Sequence, residues 1–355
     1  MTLNHRDIQT TLFKEKRVYE ELPHRYLFAC HQALKEYDQA LEYAMKASQM
    51  MPRDEWLKDK VRELKIKSGK VIECYRQGAI GDCLMTTPAV HALREKYPDH
   101  LIRYVTHEKS RDILEGNSDI DEILTEPKNE GKKVFFCYPD KQSTLRDEGY
   151  PNKPLSRHLI QIFNECAGVD QADHTMHCHL SQEELDFGLD LQKELGEYAT
   201  LHTQAGWSPY KEWADEKWAQ IVAFLRKDHN IPVILIGGTP NQTIDWVAKD
   251  LRGKTTIKQA ISAIKHAKIH LGIDSFSNHA SDAVGTRSII LFGSTSPKGS
   301  GYEQNKNLWK DLDCSPCYRE YEWAKEPREK CPYDKRCMNS ITVEDVIEAI
   351  KSILG

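Results

Sequence analysis

The spacing of apolar and polar positions changes character once along the chain, near Lys70. Upstream, residues 1–66 carry small and apolar side chains at helical intervals (Ala33, Tyr37, Ala40, Ala44, Ala47) and no strand-like run. This stretch is predicted to be wholly helical, with Pro52 separating two amphipathic segments. Downstream, short apolar runs alternate with helical patterns. VIECY (71–75), LIRYV (101–105) and VFFCY (134–138) read as buried strands, with helices through Tyr97, near 109–115 and over LSRHLIQIFNECAG. After a polar segment at 181–197 the alternation restarts. Strands are predicted at ATLHT (199–203), IPVILIGG, KIHLG and SIILFG, and helices over 216–227, 257–266 and 277–284. Repeated β-α-β units imply parallel sheets covered by helices. Two such halves would place a ligand cleft at the carboxyl ends of the strands. The amphipathic segment TVEDVIEAIKSIL is predicted to return as a last helix and brace the first half.

Length and charge narrow the class. A chain of 355 residues suits two domains at about 100–200 residues each. The expected divisions are a helical extension at 1–68, a first α/β domain at 69–190, a second at 191–340 and a C-terminal helix at 341–355. No run approaches the ~18 apolar residues of a membrane span. MTLNHRDIQTTLFKEK has no apolar core behind its charges, so it does not read as a secretory signal. The expected location is therefore the cytoplasm. A formal net charge of -5 argues against a globally basic nucleic-acid binder, so no nucleic-acid partner is expected. Cys30, Cys74, Cys83, Cys137, Cys166 and Cys178 are scattered and read as ordinary buried thiols. In the N-terminal region, Ala40, Ala47 and Pro52 resemble the second helix of a tetratricopeptide repeat. Only one copy is legible where about three make a solenoid. A helical hairpin, packed on itself or on another subunit, is favoured over a peptide-binding module.

Three segments carry candidate chemistry. In YRQGAIGDCLMTTPAV, strand 71–75 ends in a turn with Gly78 and Gly81, and Asp82 follows at a helix start. A carboxylate there either caps the helix or acts as a general base. No G-K-[ST] follows, which excludes a P-loop. In LHTQAGWSPYKEW, a strand runs into a loop with Thr203 and Lys211. A hydroxyl, backbone N–H groups and an ammonium suit a diphosphate; the alternative is a solvated loop lysine. In HLGIDSFSNHASDAVG, Asp274 and Ser275 precede a helix bearing His279. Asp-Ser is an ordinary helix cap, and the same geometry is an anion site. His279 reads equally as a core histidine.

The order of these segments adds more than any one of them. The run GAIGDCLMTTPAVHALREKYPDHLIRYVTHEKSRDILEGNSDIDEIL resembles the opening of glycosyltransferase family 9, the heptosyltransferases of lipopolysaccharide synthesis. GWSPYKEW, VILIGG, GIDS with a following His, AVGT, LFGSTSP and ITVEDVIEAI match its second half in order, so the resemblance covers about residues 70–354. It implies an α/β fold of GT-B type, two Rossmann-like domains facing a cleft, here behind an N-terminal α-helical extension. It also implies an inverting, metal-independent sugar transfer from ADP-heptose to an acceptor hydroxyl on a glycan. Carried over by position, Asp82 corresponds to the base, and Gly81, Thr203, Lys211, Asp274, Ser275 and His279 to donor contacts. Peripheral attachment at the inner membrane would accord with a lipid-linked acceptor. One departure is Ile273-Asp274-Ser275-Phe276, where the family commonly has Asn-Asp-Ser-Gly.

Asp119-x-Asp121 matches the DxD of metal-dependent glycosyltransferases only superficially, and is expected at the surface. Cys314, Cys317, Cys331 and Cys337 form two close pairs around a short loop. They read as a structural zinc or iron site or as reduced thiols. Some protein-modifying heptosyltransferases carry a similar iron-holding cluster and assemble into large oligomers. A protein Ser/Thr acceptor and a homo-oligomer built through the N-terminal helices are thus further expectations. A non-catalytic adaptor on a degenerate transferase scaffold is the alternative from another class.

Overall fold

The structure, a computed structural model, describes residues 16–137, 155, 157–169, 173–206, 208–240, 242–317 and 331–355. The helices are α1 (Lys16–Ala33), α2 (Tyr37–Met50), α3 (Glu55–Lys67), α4 (Ile80–Met85), α5 (Thr87–Lys96) and α6 (Glu108–Arg111), then α7 (Leu159–Ala167), α8 (Gln182–Leu195), α9 (Asp215–Asp228) and α10 (Ile257–Lys265). They continue with α11 (Phe276–Ala283), α12 (Pro297–Ser300), α13 (Arg336–Asn339) and α14 (Val343–Leu354). The strands are β1 (Val71–Tyr75), β2 (Leu101–Val105), β3 (Glu122–Leu124), β4 (Lys132–Phe135) and β5 (Ala199–His202). β6 (Val233–Leu235), β7 (Lys249–Asp250), β8 (Ile269–Ile273), β9 (Ser288–Phe292) and β10 (Lys306–Trp309) complete them. By its contacts the chain divides into two compact units. One runs from the N-terminal helices to Tyr75 and takes in Arg94–Val105 and Asp119–Val134. The other comprises Arg76–Leu93, Thr106–Ser118 and Phe135–Gly355.

In the first unit, α2 buries Ala40, Leu41, Ala44 and Ala47 against Phe28, Leu57 and Leu64. Methyl side chains along one helical face let neighbouring helices approach closely, as the alanine spacing predicts. Ala33, by contrast, is exposed at the end of α1. Asp54 caps α3 by accepting from the Leu57 N–H. The sheet here has the order β3-β2-β1-β4, with β1, β2 and β3 parallel. Of the DxD pair, Asp121 is exposed as expected, and only Asp119 departs from a surface position. Asp119 is buried. Asp121 accepts from Arg94 Nη2 at 2.5 Å and from the Ile102 N–H at 2.7 Å, which pins the chain beside β2.

The second unit holds a six-stranded sheet of order β10-β9-β8-β5-β6-β7. The strands pair in parallel and are mostly apolar along their length, which identifies them as a buried α/β core. Two expectations are corrected. The polar segment at 181–197 contains helix α8, started by a reciprocal capping box between Ser181 and Glu184. Gly188 sits so near α10 that a Cβ would lie 2.4 Å from His266 Nδ1 and 2.5 Å from Ser262 O. Close backbone packing, not a wide apolar stripe, holds this helix. The last helix, α14, does not brace the first half. Val346, Ala349, Ile350 and Ile353 join a core with Ile221, Val222 and Leu225 of α9. Trp213 Nε1 donates to Ile341 O at 3.0 Å just before it. Cys74 and Cys83 are buried as expected, but Cys30 and Cys166 are exposed. Among the described residues no helix is long and apolar enough to cross a membrane.

Candidate active site

The candidate residues all belong to the second unit. Asp82 lies in the first turn of α4, and no side chain caps that helix. The carboxylate instead pairs with the Arg76 guanidinium, six residues earlier. Arg76 is itself held by donation from Nη1 to Phe136 O at 3.0 Å and lies over the Phe163 ring, 5.5 Å from its centroid. A carboxylate clamped this way is held in one orientation.

Gly81 brings the next component close. A Cβ there would fall 2.5 Å from His279 Cδ2 and 3.4 Å from Phe276 Cα. Only a bare Cα lets α4 lie against the start of α11 with the His279 imidazole between them. His279 is buried, and its Nδ1 is 2.7 Å from the Tyr302 hydroxyl. Burial lowers the His279 pKa, against the opposing pull of Asp274 and Asp82, so the ring is neutral near pH 7. Burial also raises the Tyr302 phenol far above its ordinary range. The neutral phenol and ring share one hydrogen bond at Nδ1, the phenol oxygen also lies 3.6 Å from Met176 Sδ, and the Cδ2–Nε2 edge of the ring faces Gly81.

Asp274, at the end of β8, is buried among donors. Lys211 Nζ lies 3.1 Å and Thr295 Oγ1 2.6 Å from Oδ2, and Ser300 Oγ lies 3.0 Å from Oδ1. Burial pushes this carboxyl up, but Lys211, His279 and Thr295 more than offset it, and its pKa ends below the ordinary value. Lys211 is itself buried, so it is not a solvated loop lysine. Ser275 occupies the N-cap position of α11 without capping it. Its hydroxyl turns instead to His202 Nδ1, 2.8 Å away at the end of β5. The first turn of α11 thus keeps backbone donors that its cap residue does not occupy. Thr203 Oγ1, Ser208 Oγ and Ser277 Oγ are buried and have no hydrogen-bond partner among the described residues. Unpaired buried hydroxyls are rare in native proteins. Ser277 Oγ turns toward Gly272 of β8, whereas Thr203 and Ser208, with the Lys211 ammonium and the start of α11, fit a polyanion such as a diphosphate.

The sequence-predicted residues therefore converge: Gly81, Asp82 and His279 on one side, Lys211, Asp274, Ser275 and Thr203 on the other. Arg76, His202, Thr295, Ser300 and Tyr302 were not singled out. Arg76 lies within the run YRQGAIGD and Tyr302 five residues beyond LFGSTSP, and an arginine six residues from an expected base was the available signal. Near the C-terminus, burial pushes the Cys337 thiol up to about 12, and Cys317, Cys314 and Cys331 add to the shift.

Gly81→Ala tests the contact between the two helices. The added methyl cannot be accommodated by rotating His279 without breaking its bond to Tyr302. A stability loss of about 1–3 kcal/mol is expected from overpacking, with activity down by more than tenfold. Wild-type melting temperature and turnover in this variant would show that the helices separate easily.

A sequence profile of glycosyltransferase family 9 (heptosyltransferase) matches residues 141–326. Lipooligosaccharide heptosyltransferase 2 of Campylobacter jejuni is 24% identical over 314 residues, covering 78% of this chain and 95% of the relative. The family 9 glycosyl transferase of Veillonella parvula superposes with a TM-score of 0.60 at 17% identity, over 80% of this chain and 97% of that one. TibC, an iron-containing dodecameric glycosyltransferase of enterotoxigenic Escherichia coli, also solved with ADP-D-β-D-heptose, gives a TM-score of 0.60 at 16% identity. That match covers 80% of this chain and 76% of TibC. These likenesses bear out the expected α/β fold of GT-B type behind N-terminal helices. With 186 of its 355 residues inside the family profile, and a fold and residue order to match, the chain is a glycosyltransferase and belongs to glycosyltransferase family 9.

Proposed function

We propose that the chain transfers a heptose from ADP-heptose to a sugar hydroxyl of a lipopolysaccharide core, with inversion at the anomeric carbon. The observation that carries this reading is the clamped Asp82 carboxylate, set at one helix start against His279 of the other, with Lys211 and Asp274 beyond. Asp82 takes the proton of the acceptor hydroxyl as its oxygen forms the new bond to the anomeric carbon. The bond from that carbon to the diphosphate oxygen breaks, and ADP leaves with both electrons. The charge that develops on the diphosphate is met by Lys211, the Thr203 hydroxyl and the first turn of α11. Residues 191–340 would supply most of the donor contacts, and residues 69–190 would serve the acceptor while also reaching the donor.

The relatives support these details by their names. The Campylobacter enzyme is named for lipooligosaccharide, which favours a glycan over a protein acceptor. TibC is solved with ADP-heptose, which supports that donor. The thiols of Cys314, Cys317, Cys331 and Cys337 are a soft donor set suited to a structural zinc or iron ion, and TibC is iron-containing. Such an ion would fix the chain around Cys337 and takes no part in transfer. Tyr26, Leu34 and Trp56 are exposed on the N-terminal helices and support assembly of copies there. The proposed location is cytoplasmic, at the periphery of the inner membrane.

Calorimetric titration with ADP, UDP and GDP, with metal assayed on the same sample, tests the reading. Preferential ADP binding and heptose transfer onto a heptose-free lipopolysaccharide core are expected, with about one metal ion per four-cysteine set. Preference for UDP or GDP, or transfer to protein alone, would overturn the donor or the acceptor respectively.

A further inference from the structure

We propose that His158 is a further substrate-contacting residue, whose Nε2–H donates to an oxygen of the bound nucleotide sugar. The inference rests on the donor reading given above. His158 precedes α7 and caps it with its ring: Nδ1 accepts from the Ile160 N–H at 3.2 Å. An imidazole that accepts at Nδ1 carries its proton on Nε2 when neutral. Burial, with His279 and His174 adding, pushes the His158 pKa down to about 3, against Asp274, so the ring is neutral at working pH. Nε2 is buried and has no partner among the described residues. The cap therefore fixes a tautomer and leaves one buried donor unspent.

The surroundings say what that donor meets. The His158 ring packs on Tyr302 with centroids 5.1 Å apart, and Tyr302 in turn holds His279 of α11. Asp274 and His279 both act electrostatically on His158, which places it among the donor-binding groups and not at a distant helix start. A neutral N–H adds no charge beside Lys211 and is matched by any oxygen acceptor. In a nucleotide sugar that oxygen belongs either to a sugar hydroxyl or to the diphosphate.

His158→Asn separates the two duties of the ring. Asparagine is a good N-cap and can still accept from Ile160, but it cannot place a donor where Nε2 stands. His158→Phe keeps the packing on Tyr302 and removes both polar functions. Both variants are expected to bind ADP-heptose about tenfold more weakly, as for loss of one hydrogen bond. KM for the donor should rise and KM for the acceptor stay unchanged, with the melting temperature of the Asn variant near wild type. Weakened ADP-heptose with unchanged ADP assigns the contact to a sugar hydroxyl; equal weakening of both assigns it to the diphosphate. Wild-type binding of both ligands by both variants would overturn the proposal and leave His158 a cap. Failure of the wild-type protein to bind ADP at all would overturn the donor reading beneath it, and this inference with it.

Discussion

Replacing Asp82 by Asn is expected to lower kcat by about 10²–10⁴-fold, the range for loss of a positioned general base, while ADP binding stays within about twofold. The argument is one of shape. Asn has the outline of Asp and retains an oxygen that can accept from Arg76, so α4 and its contact with α11 should persist. The turn before α4 lies close against this pair. A Cβ at Gly78 would already lie 2.9 Å from Arg76 Nε and 3.3 Å from Asp82 Oδ2. What the amide cannot do is take a proton from the acceptor hydroxyl. ADP, whose diphosphate is met by Lys211 and the start of α11, does not depend on that charge. Single-turnover transfer and calorimetry on the same preparation separate the two effects. Undiminished kcat in D82N would remove Asp82 from the chemistry and shift attention to His279. Equal losses in ADP affinity and kcat would mean that the substitution had disturbed the site as a whole.

The parts of the fold legible in the sequence were those whose signal is local. β1, β2, β5, β6, β8 and β9 are buried parallel strands, and such strands appear as continuous apolar runs. β7 has only the two residues Lys249–Asp250, and β3 is half-buried, so neither writes a pattern. Helix α8 was hidden because it buries little besides Gly188 and Leu191. Its clearest mark was Ser181 followed by Glu184, a capping signal rather than a hydrophobic one. The amphipathic face of α14 announced that it would pack, but periodicity does not name the partner, and the helix joined the second core.

The site divides in the same way. Asp82, Asp274 and His279 sit at a strand end or in the first turns of a helix, and Lys211 in the loop after β5, where a carboxylate, an ammonium or an imidazole invites a chemical reading. Their partners are remote in sequence. Lys211 and Asp274 are separated by 63 positions, and Ser275 and His202 by 73. No local pattern announces that Tyr302 will lock His279, or that Ser275 will leave its helix uncapped to bind His202. The anion-binding character of the start of α11 emerges only once that hydroxyl is seen to turn away.

The same buried imidazoles make the fold sensitive to acid well above the carboxylate range. Burial pushes His270 down to about 3, with His202 adding and Thr200 opposing, and pushes His202 down to about 4. His158 is likewise neutral in the folded state. In the unfolded chain each titrates near 6.5. Below that value the unfolded state binds protons that the folded state refuses, so stability is complete above pH 6.5 and falls as pH drops toward 3–4. At pH 5 the His270 and His202 shifts each cost about 2 kcal/mol. Asp282 works in the opposite sense. Burial raises it to about 6, so it takes up a proton in the folded state first and returns about 1 kcal/mol at pH 5. The net loss is several kcal/mol, against a total stability of about 5–15 kcal/mol for a typical protein. Melting temperature should therefore begin to fall between pH 6.5 and 5, before ordinary carboxylates protonate. His270→Gln should keep a partner for the Thr200 hydroxyl, 3.0 Å from Nδ1 in the wild type, and flatten the acid slope by about one proton. A melting temperature that holds steady from pH 7 to 4.5 would show that these rings take up protons without unfolding the chain around them.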